Sequence, residues 1–539
     1  MERALGTEAS TERHRRRSVN DPARQEDFAM SVVIGKKNAS LDELVAVARH
    51  GVDVVIDPAV KVDLSERRRA IEGMVTSGEP VYGVSTGFGA LATTFISPEQ
   101  RRDLQVSLIR SHAAGMGDPV EIEVVRAMMF SRLTTLCSGV TGVRPETAQA
   151  YADLLNARLT PVVHEFGSLG CSGDLAPLAH VALALMGEGD VFDENGVRVP
   201  AADALATAGL SPVVLAEKEG LALINGTDGM LGMLTLALAD GANLLRIADV
   251  TASLSIQALR GTDRVFADDL QALRPHDGQR DSASNLRRLM ADSPLVTSHL
   301  DDDTQVQDAY SLRCVPQVHG AARDTFAYAY GVANVELSSA IDNPSVLPDG
   351  RLESNGNFHG APVAYVLDFL AIVVADVASM AERRTDRLLD TTRNFGLPAF
   401  LAQSPGVDSG LMIAQYTQAG IVSELKRLAA PASVDSIPSS AMQEDHVSMG
   451  WHAARKLRRA LVGFRRVLAI ELLAATRALE LCSPLDPSPA AAALVAVLAH
   501  EGLGPGPDRF LAPDLALVDQ FVASGDLLAL VEEHVGSLD

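Results

Sequence analysis

Cys171-Ser172-Gly173 sits in a run, Gly167-Ser168-Leu169-Gly170-Cys171-Ser172-Gly173-Asp174, that is too rich in glycine for a regular helix or strand. Four readings compete for such a segment. A nucleophile elbow requires G-x-S-x-G, and here glycine follows Ser172 directly. A phosphate-binding loop requires G-x-x-x-x-G-K-[ST], and no lysine follows. A plain turn needs only the glycines and the serine, and the segment taken alone reads most simply that way. The fourth reading is chemistry of the backbone itself. Glycine has no Cβ, so in a tight bend the Gly173 amide nitrogen can attack the carbonyl carbon of Cys171. Loss of two waters, one of them carrying away the Ser172 hydroxyl, would leave a five-membered ring with an exposed methylidene. Such a ring is an electrophile, which none of the twenty side chains supplies.

Further polar residues stand in motifs that each admit a bland reading. Val81-Tyr82-Gly83-Val84-Ser85-Thr86-Gly87-Phe88-Gly89 is a glycine-rich loop with one tyrosine, and an isolated tyrosine ordinarily packs with its hydroxyl satisfied. Ile224-Asn225-Gly226-Thr227 precedes a long apolar stretch, which suits Asn225 as a helix N-cap. In Gln307-Asp308-Ala309-Tyr310-Ser311-Leu312-Arg313-Cys314, the Arg313 guanidinium can grip a carboxylate through two parallel hydrogen bonds, a geometry lysine lacks. Alone, Arg313 would read as a surface ion pair, and Phe358 in Asn355-Gly356-Asn357-Phe358-His359-Gly360 as core. Glu444, Asp445 and His446 could ligate a metal, but neighbours on a helix point apart, so no metal site is assigned.

Taken together, these motifs resemble the histidine/phenylalanine/tyrosine ammonia-lyase family, in order, from about residue 40 to at least residue 451. GSLGCSGDLAPLAH (167–180) is similar to the family signature, in which an Ala-Ser-Gly or Cys-Ser-Gly triad cyclises to 4-methylideneimidazol-5-one (MIO). The resemblance implies that Cys171, Ser172 and Gly173 form that group with no external cofactor, Cys171 becoming ring scaffold rather than a reactive thiol. It implies that Tyr82 removes a substrate β-proton, for which its pKa must fall well below about 10. Asn225 would lie beside the substrate amine or carboxylate, and Arg313 on the α-carboxylate. Tyr310 and Gln307 would support the reacting centre, with Phe358 against the ring. Glu444, in Gln443-Glu444-Asp445-His446-Val447-Ser448-Met449, would bond to substrate, with proton transfer as a further possible role.

Substrate choice in this family follows a residue pair that falls here on Ser111-His112, within Ser111-His112-Ala113-Ala114-Gly115. Lyases acting on histidine carry Ser-His, those on tyrosine His-Leu, and those on phenylalanine Phe-Leu. A polar pair suits an imidazole, whose two nitrogens want a donor and an acceptor. A phenyl ring would leave His112 unpartnered at about 1–3 kcal/mol. The expectation is non-oxidative removal of ammonia from L-histidine to give trans-urocanate, the first step of histidine degradation. A tyrosine lyase or an MIO-dependent aminomutase on the same scaffold is the alternative. A fumarase/argininosuccinate-type lyase lacks support, because its GSSxMPxKxNP loop is absent. A catalytically dead binding protein of the same fold would keep its full mass.

The elements that must position these residues read as mainly helical. The 539 residues are 47% hydrophobic and 21% charged but only 4% aromatic, with alanine, leucine and valine dominant, a composition that favours helix. Helices are expected from Pro98 (capped by Ser97) to Ile109, Glu121 to Leu136, from Pro145, and from Leu175 to Met186. Stretches 229–247, 361–381 and 459–479 are apolar on most faces and must be surrounded by other helices, of this chain or of other copies. Asp228, Asp368 and Asp376 sit in or beside two of them, so they read as bundle helices rather than membrane spans. Only Val54–Ile56 and a hairpin at 191–199 look strand-like. The expected architecture is a long central helical bundle (225–539) with a smaller N-terminal domain (30–224) carrying the triad loop. Residues 1–29, with Arg13, Arg15, Arg16 and Arg17 and no apolar core, read as a disordered extension and not a secretory signal. The formal charge of -23 argues against nucleic acid, and four scattered cysteines fit a reducing cytoplasm. The expected partner is a small amino-acid substrate, with the chain assembled as a homotetramer.

Overall fold

The computed structural model describes residues 31–35, 38–77, 96–299 and 306–539. Among the described residues up to 200, helices of up to 20 residues alternate with short strands because apolar runs are repeatedly cut by glycine and proline. Ser40 starts the helix Leu41–Arg49 through a reciprocal capping box with Glu43. Asp53–Ile56 pairs in parallel with Ser31–Ile34, and Asp190–Phe192 with Arg198–Pro200 forms the hairpin expected near 191–199. The helix Ile122–Cys137 is buried on nearly every face and lies against the central helix.

Beyond residue 227 long helices take over. Asp228–Ala258, Val315–Leu337, Ala361–Leu389 and Gly450–Leu481 pack on one another, with Met412–Leu428 added outside the last two. They extend past the apolar stretches visible in sequence because buried charges on them find partners. Asp228–Ala258 and Ala361–Leu389 are long and apolar enough to cross a membrane, yet 83% and 61% of their most apolar windows are buried within the chain. Asp228 meets Arg132 at 3.2 Å, and Asp368 takes the Lys456 ammonium at 2.6 Å.

Deep in this bundle Arg384 and Glu471 are both fully buried. Glu471 accepts from Arg384 Nε (2.5 Å) and Nη2 (3.0 Å), and from Thr251 and Ser255, both at 2.8 Å. Removing one partner of such a pair leaves an uncompensated buried charge. Glu471→Ala is therefore expected to destabilise the fold by about 3–5 kcal/mol, read from the midpoint of urea unfolding. A shift of less than 1 kcal/mol would contradict this account.

Two expected helix starts differ. Residues Pro98–Gln100 form a single 3-10 turn, and the α-helix runs Arg101–His112 with Gln100 at its cap; Ser97 Oγ instead donates to Gln100 Oε1 at 3.3 Å. Asn225 does not open the central helix. It closes the short helix Glu219–Ile224, and Thr227 caps Asp228–Ala258.

Candidate active site

The triad lies in the loop between the strand His164–Phe166 and the helix Leu175–Leu185. Segments far away in sequence hold that loop. Met449 N donates to Leu169 O at 2.9 Å, Ser448 Oγ to Gly170 O at 2.8 Å, and Gly360 N to the same carbonyl at 3.3 Å. Asp174 N donates to Gly226 O at 2.7 Å. Gly173 has φ +74°, and a Cβ there would stand 2.0 Å from Gly226 O. Only glycine fits that left-handed, crowded position, so the bend of the chain at Gly173 is imposed by the fold.

No motif singled out Asp174, yet it ties the triad to the central helix. Its Oδ2 accepts from Gly229 N (2.9 Å) and Met230 N (2.8 Å), and its Oδ1 from Ser168 Oγ (2.8 Å). Burial pushes the carboxyl up to about 7, against the pull of those hydrogen bonds. The available signal was an acidic residue directly before one apolar helix, but the helix it caps is another one, more than fifty residues on. Three long helices begin around this loop: Asp228–Ala258 beside Asp174, Ala361–Leu389 just after Gly360, and Gly450–Leu481 just after Met449. Each N-terminus carries roughly half a positive charge, so the triad lies in a positive field suited to anionic substrate groups.

Glu444 faces the triad. Cys171 Sγ donates to its Oε2 at 3.2 Å and Ser172 Oγ to its Oε1 at 3.3 Å. Ser439 Oγ also donates to Oε2, at 2.8 Å. The Gln443–Met449 segment is an irregular loop and not the helix assumed in weighing metal ligation. Ser440, Ala441, Met442 and Met449 all have φ near +50 to +70°, a costly conformation for non-glycine residues that the surrounding contacts enforce. Among the described residues no cluster of three or more His, Cys, Asp or Glu could hold a metal ion.

His112 lies close enough for the Glu444 charge to act on it. Its Nδ1 is 2.9 Å from Leu108 O and 3.1 Å from Ser111 Oγ. A carbonyl oxygen only accepts, so Nδ1 carries the proton and Nε2 keeps its lone pair. Ser111 Oγ is itself spent on Leu108 O at 3.0 Å, which makes Ser111 a neighbour that orients His112. Burial holds the His112 pKa below the usual imidazole value, only partly offset by the Leu108 carbonyl and by Glu444.

Asn225 is buried at the loop's other flank. Its Nδ2 donates to Asn343 O at 2.8 Å, its carbonyl O accepts from Arg132 Nη1 at 2.8 Å, and its Oδ1 has no partner. Beneath it Lys218 Nζ donates to Asp342 Oδ2 at 2.5 Å, both side chains being fully buried. Phe358 is half-buried two residues before Gly360, and His359 beside it stacks on His446 with ring centroids 5.3 Å apart.

The remaining candidates are elsewhere. Tyr82 lies outside the described residues. Gln307 and Tyr310 are exposed, and the Arg313 guanidinium lies 4.8 Å above the Tyr310 ring. This segment is docked at the far ends of the long helices: Thr262 N, just past the central helix, donates to Asp308, and Arg384 donates to Ser311 O. The central helix has 31 residues, so at 1.5 Å per residue about 45 Å separates the two groups within one chain. One chain therefore brings together Cys171, Ser172, Gly173, His112, Asn225, Phe358 and Glu444, but not Gln307, Tyr310 or Arg313.

Comparison with known proteins gives a consistent set of relatives. The profile of the aromatic amino acid lyase family matches residues 39–500. Histidine ammonia-lyase of Streptomyces avermitilis is 62% identical over 509 residues, covering 94% of this chain and 99% of its own length. Histidine ammonia-lyase of Symbiobacterium thermophilum is 48% identical, covering 93% and 98%. Among solved structures, tyrosine aminomutase of Streptomyces globisporus superposes with a TM-score of 0.89 at 35% identity, covering 94% of this chain and all of its own. Histidine ammonia-lyase of Trypanosoma cruzi superposes with 0.86 at 38% identity, covering 94% and 96%.

Proposed function

The chain belongs to the aromatic amino acid lyase family, and from that membership we propose that it is an ammonia-lyase acting on L-histidine, giving trans-urocanate and ammonia. The observation that carries the substrate is the pairing of Ser111-His112 with Glu444 around the triad, in a chain 62% identical to a histidine ammonia-lyase. The residues present fit an MIO group at Cys171-Ser172-Gly173: the bend is fixed, Gly173 has no room for a Cβ, and the unpartnered Asn225 Oδ1 is a buried acceptor on the same flank. Once formed, that group supplies an electrophilic methylidene that turns a poor leaving group into a good one.

The chain's own residues divide the remaining work. His112 Nε2 and the Glu444 carboxylate are both acceptors: one takes the single N–H of the neutral substrate imidazole and the other the amine. Asn225 Oδ1 offers a further acceptor to the ammonium. Arg313 grips the α-carboxylate in two parallel hydrogen bonds, supported by Gln307 and Tyr310; Phe358 closes the ring side and Tyr82 takes the β-proton. Because Arg313 is about 45 Å from the triad in its own chain, the carboxylate grip comes from a second copy. A homotetramer in the cytoplasm suits this arrangement, with Tyr328, Val335, Phe369 and Ile372, all exposed on two of the long helices, at the contacts between copies.

The test is incubation of the purified protein with L-histidine and with L-tyrosine, together with its intact mass. The expected outcome is urocanate absorbance from histidine alone and a chain about 36 Da lighter than its sequence, two waters having left. A tyrosine aminomutase, the second reading favoured by structural similarity, would instead accumulate a β-amino acid.

The pH profile follows from His112. As an acceptor the ring must be neutral, and burial lowers its pKa, so it stays neutral down through the ordinary imidazole range. The acid limb of kcat/KM due to this group is expected below about pH 6.5. His112→Phe should lower kcat/KM for histidine by about ten- to a hundredfold and remove that limb. A limb that survives the substitution unchanged would assign it to another group.

A further inference from the structure

Cys171 has a side chain that ring closure does not consume. The closure joins the Gly173 nitrogen to the Cys171 carbonyl carbon and expels two waters, one made from the Ser172 hydroxyl. Before that step Glu444 has a donor on each oxygen from the triad: Ser172 Oγ on Oε1 and Cys171 Sγ on Oε2. Afterwards Oε1 has lost its partner, while Oε2 keeps both Cys171 Sγ and Ser439 Oγ. Cys171 is 8% exposed and packs against Val447 and Met449. Burial, with the Glu444 charge beside it, pushes it up to about 12, so it remains protonated and can only donate.

We propose that Cys171 is a positioning residue for Glu444: its S–H, left in place by cyclisation, pins Oε2 and leaves Oε1 directed at the substrate. The dehydration that builds the electrophile thus also releases the carboxylate oxygen that reads the imidazole, while the thiol stops that carboxylate from turning away. Alanine at the first triad position would form the same ring but lack this contact. The inference rests on the lyase reading above and concerns how this chain holds its Glu444.

Two measurements test it. In the infrared difference spectrum of wild type minus Cys171→Ala, the S–H stretch of Cys171 is expected at lower frequency than an unbonded thiol, and Glu444→Gln should move it back. In the dehydrated protein, Cys171→Ala should weaken urocanate binding by about fivefold, since Glu444 is no longer held in place by the thiol. Cys171→Ser, which restores a donor, should recover the affinity. An S–H band at the unbonded position, unmoved by Glu444→Gln, overturns the proposal. So does a Cys171→Ala chain that has lost two waters yet binds urocanate with wild-type affinity. Wild type found at full mass would overturn the lyase reading and this inference together, an outcome the mass alone distinguishes.

Discussion

Ser172→Ala is expected to lower kcat by at least about a thousandfold, a barrier increase of roughly 4 kcal/mol, while leaving the fold intact. The Ser172 hydroxyl makes one side-chain hydrogen bond, to Glu444 Oε1 at 3.3 Å, and the side chain is only partly buried. Losing a single long hydrogen bond at such a site costs about 0.5–1.5 kcal/mol of stability at most. The methylidene carbon, by contrast, can come only from the serine Cβ once its hydroxyl has left. The variant should therefore unfold within a few degrees of wild type and weigh what its sequence predicts, without the loss of two waters. Full turnover in Ser172→Ala would refute the backbone electrophile altogether, and with it the roles given to Asn225 and Glu444.

The second large effect is recovery of activity in mixtures. Arg313→Ala alone should lose about a hundredfold in kcat/KM, because the carboxylate is left with no paired donors. Arg313 and the triad sit at opposite ends of the long helices, so on the proposed reading each site would take one from each of two copies. If Ser172→Ala and Arg313→Ala chains are coexpressed and assemble at random, sites with an intact triad and an intact arginine make up about a quarter of the total. Activity near a quarter of wild type is the expected result, far above either variant alone. Activity no greater than the sum of the two separate variants would require Arg313 to act in its own chain, against the separation seen here.

The chemistry of this site was legible because it resides in short contiguous runs, whereas its placement was not. Cys171-Ser172-Gly173, Arg313 and Glu444 each stand in a segment whose order of residues is itself informative. Helical stretches were equally plain, since long runs apolar on all faces can only be buried. Their ends were not: Asn225 has the composition of an N-cap, but the chain turns for three residues before the central helix begins at Asp228. The Glu444 loop defeated helical reasoning because Ala441 and Met442 adopt left-handed backbone, which no propensity forecasts for those residue types. Partners such as Lys218 and Asp342, 124 residues apart, and Asp174 with the start of the central helix, leave no local trace.

The bend at Gly173 exists only where residues 226, 360 and 448 have already arrived from other parts of the chain. A nascent or misfolded polypeptide has no means of pressing the Gly173 nitrogen toward the Cys171 carbonyl. Such a chain would carry only an ordinary serine, harmless to the amines and thiols around it during synthesis. On the proposed reading the warhead would be armed by the completed fold, and the dehydrated fraction of a preparation would serve as a covalent tally of how many molecules folded correctly.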